Sequence, residues 1–305
     1  MEIAAALKLA TEKLRQKNIE SAGLDALVLM MHAANYSREE IVFNPQRELP
    51  QNYEENFWQA IARREAREPV SHIIAQREFY GRNFFVSCSV LDPRPDSETL
   101  IEFVLEKFPD KNQKLQILEI GVGSGCLIIS LLRNFLQASA IGLDISLAAL
   151  EVAQKNAHTH KVENNLRLLE SNLFEVFSAK NLSEFTENKF AVAAELVPEF
   201  SSNKFDLIIS NPPYIKRADI ENLADEVKCH EPKLALDGGV DGLDFYRRIA
   251  AQSAGFLKPA GLVVVEIGAG QKEEVEEIFA GEGFGLRGVK QDLAGVERVL
   301  GFVVV

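Results

Sequence analysis

The sequence has 305 residues, 47% of them hydrophobic, which is enough for two domains and a sizeable core. Its 33 Lys and Arg against 45 Asp and Glu give a net charge of −12, which argues against a nucleic-acid binder that depends on phosphate contacts. Cys88, Cys126 and Cys229 are far apart and form no C-x-x-C pair, so they indicate neither a disulfide framework nor a zinc site and fit a reducing cytoplasm.

From Met1 to about Arg67 the pattern is helical. Ile3, Leu7, Ala10 and Leu14 recur at helix spacing, and Leu24, Leu27, Val28 and Met31 predict the buried face of a second helix. Ser37 with Glu40 reads as a capping box for a short third helix, and a fourth follows Pro50 with Tyr53, Phe57 and Ile61 facing inward. The apolar stripes of this bundle read as core rather than as a cofactor site, and a bundle of this kind suits substrate recognition. Between Glu68 and Pro95 the period changes to two, and Phe79, Gly81, Phe84 and Val86 predict a short hairpin. The expected organisation is a helical domain over 1–78, a hairpin connector over 79–95 and a larger domain over 96–305. In Arg94-Pro95-Asp96-Ser97-Glu98, Asp96 or Ser97 is placed to cap the next helix, while Arg94 and Glu98 read either as a surface ion pair or as the lining of a site mouth.

From Leu115 onward strands and helices alternate, which predicts an α/β fold with a parallel sheet covered on both faces. The strands are expected at Leu115–Ile120, Ser139–Leu143, Leu166–Leu169, Phe205–Ser210 and Leu262–Ile267, followed by β-rich segments near Leu286–Val289 and Arg298–Val305. Helices are expected over Cys126–Leu136, Leu147–Ala157, Phe245–Phe256 and Lys272–Ala280. His158 and His160 stand two apart on a predicted helix and face different ways, so no metal site is expected there. The stretch 178–203 has weak periodicity and reads as an insertion between the third and fourth strands. No apolar run reaches ~20 residues and the N-terminus lacks the pattern of a secretory leader, so neither a membrane span nor secretion is expected.

In an open α/β sheet, ligands bind outside the carboxyl ends of the strands. Gly121, Val122, Gly123, Ser124 and Gly125 follow the first of these strands and open a helix, so backbone can come close to a ligand. Cys126 occupies the place of the third glycine of a dinucleotide fingerprint, which this loop therefore does not match. Asp144 ends the next strand, where a carboxylate either takes both hydroxyls of a ribose or serves the following helix start.

The fourth strand ends in Asn211-Pro212-Pro213-Tyr214. Neither proline has an N–H for a ladder, and Pro212 holds Asn211 extended. One reading is a strand running into an ordinary loop. The other is a receptor for a planar NH2 group, in which the Asn211 side-chain oxygen and the Pro212 carbonyl accept its two N–H bonds. An amide nitrogen is a poor nucleophile because its lone pair is delocalised, so holding it in one orientation is chemically useful. A nucleoside-bearing ligand beside an NH2 receptor describes S-adenosylmethionine with a nitrogen acceptor.

These residues resemble the HemK-type methyltransferases, which methylate the N(5) of glutamine in the Gly-Gly-Gln motif of peptide chain release factors. The resemblance runs through Leu24-Asp25-Ala26, Glu68-Pro69-Val70, Phe79-Tyr80-Gly81, Arg94 to Glu98, the glycine loop, Asn211 to Ile215, His230-Glu231-Pro232, Asp241-Gly242-Leu243 and Asp292 to Gly295. It implies a class I S-adenosylmethionine-dependent, Rossmann-like domain with a mostly parallel seven-stranded sheet behind a helical bundle, acting in the cytoplasm on release factors without stable nucleic acid or membrane. It implies cofactor contacts at Glu119, Gly121 to Gly125, Asp144, Asn172, Leu173 and Asn211. It places the substrate amide at Asn211 and Pro212, with Pro213 and Tyr214 shaping the slot and Arg94 and Glu98 near it. The family usually has Asp where this chain has Asn172. Alternatives are an adenine N(6) nucleic-acid methyltransferase, which shares Asn-Pro-Pro-Tyr, a glutamine methyltransferase of a ribosomal protein, and a non-catalytic module that binds the cofactor.

Overall fold

A computed structural model describes residues 1–177 and 204–305; the insertion read at 178–203 lies outside the described residues. The chain forms two units, one of residues 1–76 with 224–230, the other of residues 77–223 with 231–305.

The first unit is built from α1 (Ile3–Gln16), α2 (Ala22–Ala34), α3 (Arg38–Phe43), α4 (Gln51–Glu65) and α5 (Val70–Ile73). Ile3, Ala6, Ala10 and Leu14 are buried along α1, as their spacing predicts. The capping box at α3 is present, with the Ser37 hydroxyl accepting from Glu40 N and the Glu40 carboxylate from Ser37 N. The expected face of α2 is corrected. Ala22, Asp25, Ala26, Leu29, Met30 and Ala34 are buried, whereas Leu24 is 62% exposed and Leu27, Val28 and Met31 are half-buried. The small residues let neighbouring helices approach closely, and Asp25 faces inward because a cation meets it there. Asp25 Oδ2 accepts from Arg64 Nε at 2.7 Å, and the other end of the guanidinium reaches Glu226 Oε1 at 3.1 Å, which Arg67 Nη1 also contacts at 3.1 Å. The late segment 224–230, with a helical turn over Asp225–Lys228, therefore completes a buried ion cluster in this unit.

The second unit begins with a hairpin of β1 (Arg77–Phe79) and β2 (Arg82–Phe84). Tyr80 and Gly81 both have positive φ, 51° and 69°, the turn that suits a two-residue hairpin. After α6 (Glu98–Lys107) come β3 (Gln116–Ile120), α7 (Cys126–Asn134), β4 (Ser139–Asp144), α8 (Leu147–Thr159) and β5 (Leu166–Glu170). Later come β6 (Phe205–Ser210), the helix Asp244–Ser253, β7 (Leu257–Glu266), the helix Lys272–Gly281, β8 (Phe284–Gln291) and β9 (Glu297–Val304). The seven-stranded sheet runs β5-β4-β3-β6-β7-β9-β8, parallel except where β9 pairs with β7 and β8. The predicted fifth strand starts earlier than read, at Leu257, because its ladder resumes beyond an irregularity that skips from Leu257 to Leu262. Ala260, inside that skipped stretch, has φ 62°. The last part of the predicted helix over Phe245–Phe256 tightens into a 3-10 turn from Ala254.

Alternation along the strands fills two cores. Ile117, Leu262 and Val264 face one layer with α6, α7 and α8, while Leu118, Ile120, Val263 and Val265 face the other, with Tyr246, Ile249, Val275 and Phe279. The chain winds outward from β3 to β4 and β5 and then returns to place β6 against β3, which makes the β3/β6 pair a topological switch point. Ile120 is in register with Ser210, so the glycine loop and Asn211 leave the sheet at one level. No described helix is long and apolar enough to cross a membrane.

Because Arg64 is only 8% exposed, removing one of its partners leaves a poorly compensated buried charge. We expect Asp25→Ala to lower the unfolding free energy by about 3–5 kcal/mol, read from urea denaturation, and Asp25→Leu with Arg64→Met to cost much less.

Candidate active site

The ends of β3, β4, β5 and β6 surround a cavity of about 420 Å³. Of the predicted site residues, Arg94, Glu119, Gly121, Val122, Gly123, Ser124, Asp144, Asn172, Leu173, Asn211, Pro212 and Pro213 line it. Gly125, Glu98 and Tyr214 do not line it, and each has another function in the fold. Gly125 has φ 78°, and a Cβ there would crowd Ile129 Cδ1 of its own helix at 2.9 Å and meet Ala153 Cβ on α8 at 3.4 Å, so glycine suits the turn into α7. Glu98 accepts from Tyr80 N at 2.8 Å and steadies the hairpin turn. The Arg94–Glu98 ion pair read as one possibility is absent, because Arg94 Nη2 instead reaches both oxygens of Glu231 at 2.7 Å.

The glycine loop is held from behind. Asn156, fully buried on α8, donates to Ser124 O at 2.8 Å and to Phe85 O at 2.9 Å while accepting from Phe85 N at 2.7 Å. Asp144 Oδ2 accepts from Gly123 N and Oδ1 from Ser146 N, both at 2.9 Å, while Ser146 itself caps α8. Burial raises the Asp144 pKa, against which these backbone donors pull it down. Glu119 is 1% exposed and accepts from Ile128 N at 3.1 Å; burial holds its proton far above the ordinary carboxylate range. At the end of β5, Leu173 has φ 53°, a conformation kept in place by the Ser171 hydroxyl donating to Leu173 O at 2.7 Å. Asn172 donates to Glu175 Oε1 and accepts from Arg248 Nη2, both at 2.7 Å.

At the end of β6, Asn211 Nδ2 donates to Ser97 Oγ at 3.1 Å. That bond leaves the side-chain oxygen without a partner among the described residues, at the cavity wall. Of the two residues placed to cap the next helix, Asp96 and Ser97, Ser97 stands at the N-cap position, and its side chain accepts no bond from that helix. The backbone behind Tyr214 is tightly packed. Gln271 Nε2 donates to Tyr214 O at 3.1 Å, Gly238 N to Ile215 O at 2.8 Å, and a Cβ on Gly238 or Gly242 would lie 2.8 Å or less from the Pro213–Tyr214 backbone. Tyr214 turns its hydroxyl toward Glu266 Oε1 at 3.5 Å, and burial raises that phenol to about 12. Glu266, 1% exposed at the end of β7, is pushed up to about 7 by burial, with a Ser97 hydrogen bond and the Arg298 charge opposing the rise.

Sequence reasoning missed Ser97, Glu231, Gln271 and Glu266 as parts of this site. The one available signal was an isolated carboxylate at the end of an apolar strand, shared by Glu119 and Glu266. The lining, with glycine backbone, a strand-end carboxylate and apolar walls from Ile145 and Leu173, fits a nucleoside-bearing ligand.

A family model described as the PrmC N-terminal domain matches residues 5–74, and one described as a methyltransferase domain matches residues 111–266. The chain is 35% identical over 303 residues to a release factor glutamine methyltransferase of Agrobacterium fabrum, covering 98% of this chain and 96% of that one. It is 36% identical over 288 residues to a protein of the same name from Geobacter sulfurreducens, covering 94% and 92%. The crystal structure of the hMettl16 catalytic domain in complex with MAT2A 3′UTR hairpin 6 matches with a TM-score of 0.54 at 13% identity, covering 79% and 82%, which shows the fold alone.

A carboxyl whose folded pKa is raised from 4.5 to about 7 binds its proton more tightly in the native than in the unfolded chain. Stability therefore falls as pH rises through that window, by at most about 1.4 kcal/mol per pH unit for one group. Glu266→Gln removes this contribution, so its Tm, followed between pH 4.5 and 7, is expected to decline less steeply than that of the parent chain.

Proposed function

The chain belongs to the release factor glutamine methyltransferases, and on that premise we propose that it transfers a methyl group from S-adenosylmethionine to the side-chain amide nitrogen of the glutamine in the Gly-Gly-Gln motif of peptide chain release factors. The observation that carries this reading is the Asn211 amide. Its nitrogen is tied to Ser97, so its oxygen remains as an acceptor at the cavity wall, at the level where the glycine loop leaves the sheet. Asn211 Oδ1 and the Pro212 carbonyl then accept the two N–H bonds of the substrate amide. Pro213 bounds the slot, and Tyr214, packed below, supports it.

When bound, S-adenosylmethionine supplies an electrophilic methyl group on a sulfonium. Gly121 and Gly123, with no side chains to intervene, let backbone face it, while Asp144 takes the ribose hydroxyls and the Asn172–Leu173 corner bounds the adenine. Glu119 sits behind the loop, where it holds the first turn of α7. Asn211 and Pro212 fix the acceptor nitrogen in one orientation and stabilise the positive charge that grows on it. Rate comes from this alignment: the nitrogen–methyl bond would form as the methyl–sulfur bond breaks and a neutral sulfide leaves, and the nitrogen would then lose one proton, so no strong base is needed before attack.

An adenine N(6) acceptor would suit the same two acceptors, but a net charge of −12 disfavours a nucleic-acid substrate. Cys88, Cys126 and Cys229 are all free, which supports action in the cytoplasm.

The direct test is methyl transfer from labelled S-adenosylmethionine to a purified release factor, beside the factor with its motif Gln changed to Ala and beside DNA. Label is expected on the intact factor only; label on DNA alone would overturn the assignment. Asn211→Ala is expected to lose about 10²–10³ in kcat with cofactor affinity retained. Asp144→Ala is expected to weaken cofactor binding by roughly tenfold or more, measured by calorimetry.

A further inference from the structure

At the corner where β5 leaves the sheet, Asn172 brings an uncharged amide to the cavity wall. Such a group is ambiguous by itself, because its two ends have nearly the same shape while one accepts hydrogen bonds and the other donates them. Here both ends are committed. Arg248 Nη2 donates to Asn172 Oδ1 at 2.7 Å, and Asn172 Nδ2 donates to Glu175 Oε1 at 2.7 Å. A guanidinium has no lone pair to offer and a carboxylate no proton. Turning the amide over would therefore set donor against donor at one end and acceptor against acceptor at the other.

The supports are themselves fixed. The Ser171 hydroxyl donates to Leu173 O at 2.7 Å and accepts from Val176 N at 3.1 Å, which ties down the backbone on both sides of Asn172. Arg248 rises from the helix Asp244–Ser253, whose Tyr246, Ile249 and Ala250 are buried against the sheet, and its guanidinium carbon lies 5.7 Å from the Phe245 ring centroid. Arg248 and Phe245 line the cavity together with Asn172. Glu175 opens the 3-10 turn that follows the corner.

An amide oxygen has two lone pairs and an amide nitrogen two protons. With one of each engaged, one lone pair and one N–H of Asn172 remain without a partner among the described residues. Adenine offers the matching pair along one edge, the N6 donor beside the N1 acceptor. Hypoxanthine reverses it, with an oxygen at position 6 beside an N1 donor. A free amide could turn over and fit either base; a locked one fits adenine alone. We propose that Arg248 and Glu175 are positioning residues that lock the Asn172 amide in one sense, so that the cofactor site takes a 6-amino purine and rejects a 6-oxo purine. Both act through Asn172.

Because this role presumes the S-adenosylmethionine reading above, the test compares two ligands and needs no turnover: S-adenosylhomocysteine and its 6-oxo analogue, S-inosylhomocysteine, each titrated into the full chain by calorimetry. The parent is expected to bind the adenine compound about a hundredfold more tightly. Arg248→Met with Glu175→Gln frees the amide to turn and is expected to bring that ratio below about tenfold, chiefly by tightening the inosine compound. Arg248→Lys, which still presents only donors, is expected to hold the parent ratio to within about threefold. A merely structural role for the two side chains would lower both affinities together and leave the ratio where it was. Asn172→Ala removes the reader itself and gives the same answer if the double variant fails to fold: its ratio is also expected below about tenfold. A parent ratio near one, or a ratio that persists in either variant while S-adenosylhomocysteine still binds, would overturn the inference. A parent that binds neither compound would instead overturn the S-adenosylmethionine reading, and this role with it.

Discussion

The site depends on β6 being unable to continue. Two prolines in succession leave no N–H for a ladder, so pairing with β3 ends at Ser210, whose hydroxyl donates to Ile120 O at 2.8 Å and seals the last position of both strands. Beyond that line the β3 chain turns through glycines and the β6 chain leaves the ladder through Asn211 and the two prolines. The gap between the two departing chains is the cavity. Its rigidity comes from the far side, where Gln271 and the turn containing Gly238 and Gly242 press against the backbone at Pro213 and Tyr214.

Electrostatically, the cavity region is built on carboxylates withdrawn from water. Glu119 and Asp144 line it, Glu231 pairs with the lining Arg94, and Glu266 ends β7 with the Tyr214 hydroxyl at 3.5 Å; backbone N–H groups hold the first two and Arg94 holds Glu231. Burial raises the proton affinity of all four. Unlike surface acids, they cannot relax toward solvent, so their positions are set by the fold. Under the proposed reaction, Asn211 is the neutral acceptor that a neutral amide requires.

The features legible in the sequence are those whose constraint is local. Proline lacks a donor whatever surrounds it, the glycine run marks a turn, and alternation marked out the strands, so the seven-stranded architecture and the motif end of the site were readable. Capping at Ser37 was readable for the same reason. Long-range partners were not. Ser97 lies 114 positions from Asn211 and Arg94 lies 137 from Glu231, and nothing near Arg94 distinguishes Glu98 from Glu231 as its partner. Along α2 apolar residues occur on several sides, and the buried face is the one that carries Leu29 and Met30 with Ala22, Ala26, Ala34 and Asp25. Tyr214 was expected to shape the slot, but it does not line the cavity, and its hydroxyl turns toward Glu266.

The helical unit is not a contiguous piece of chain. Its buried Arg64 has one carboxylate from α2 and another from Glu226, and His230 in the same late segment contacts Ala66 O at 3.1 Å. Dissecting the protein at the end of the N-terminal run would therefore divide a folded element. A fragment of residues 1–76 would retain Asp25 but not Glu226, and the remaining fragment would carry an orphaned loop in the middle of its own fold. Gene fusions, truncations and domain swaps among relatives would have to move both pieces together, so the natural unit of exchange is the whole chain.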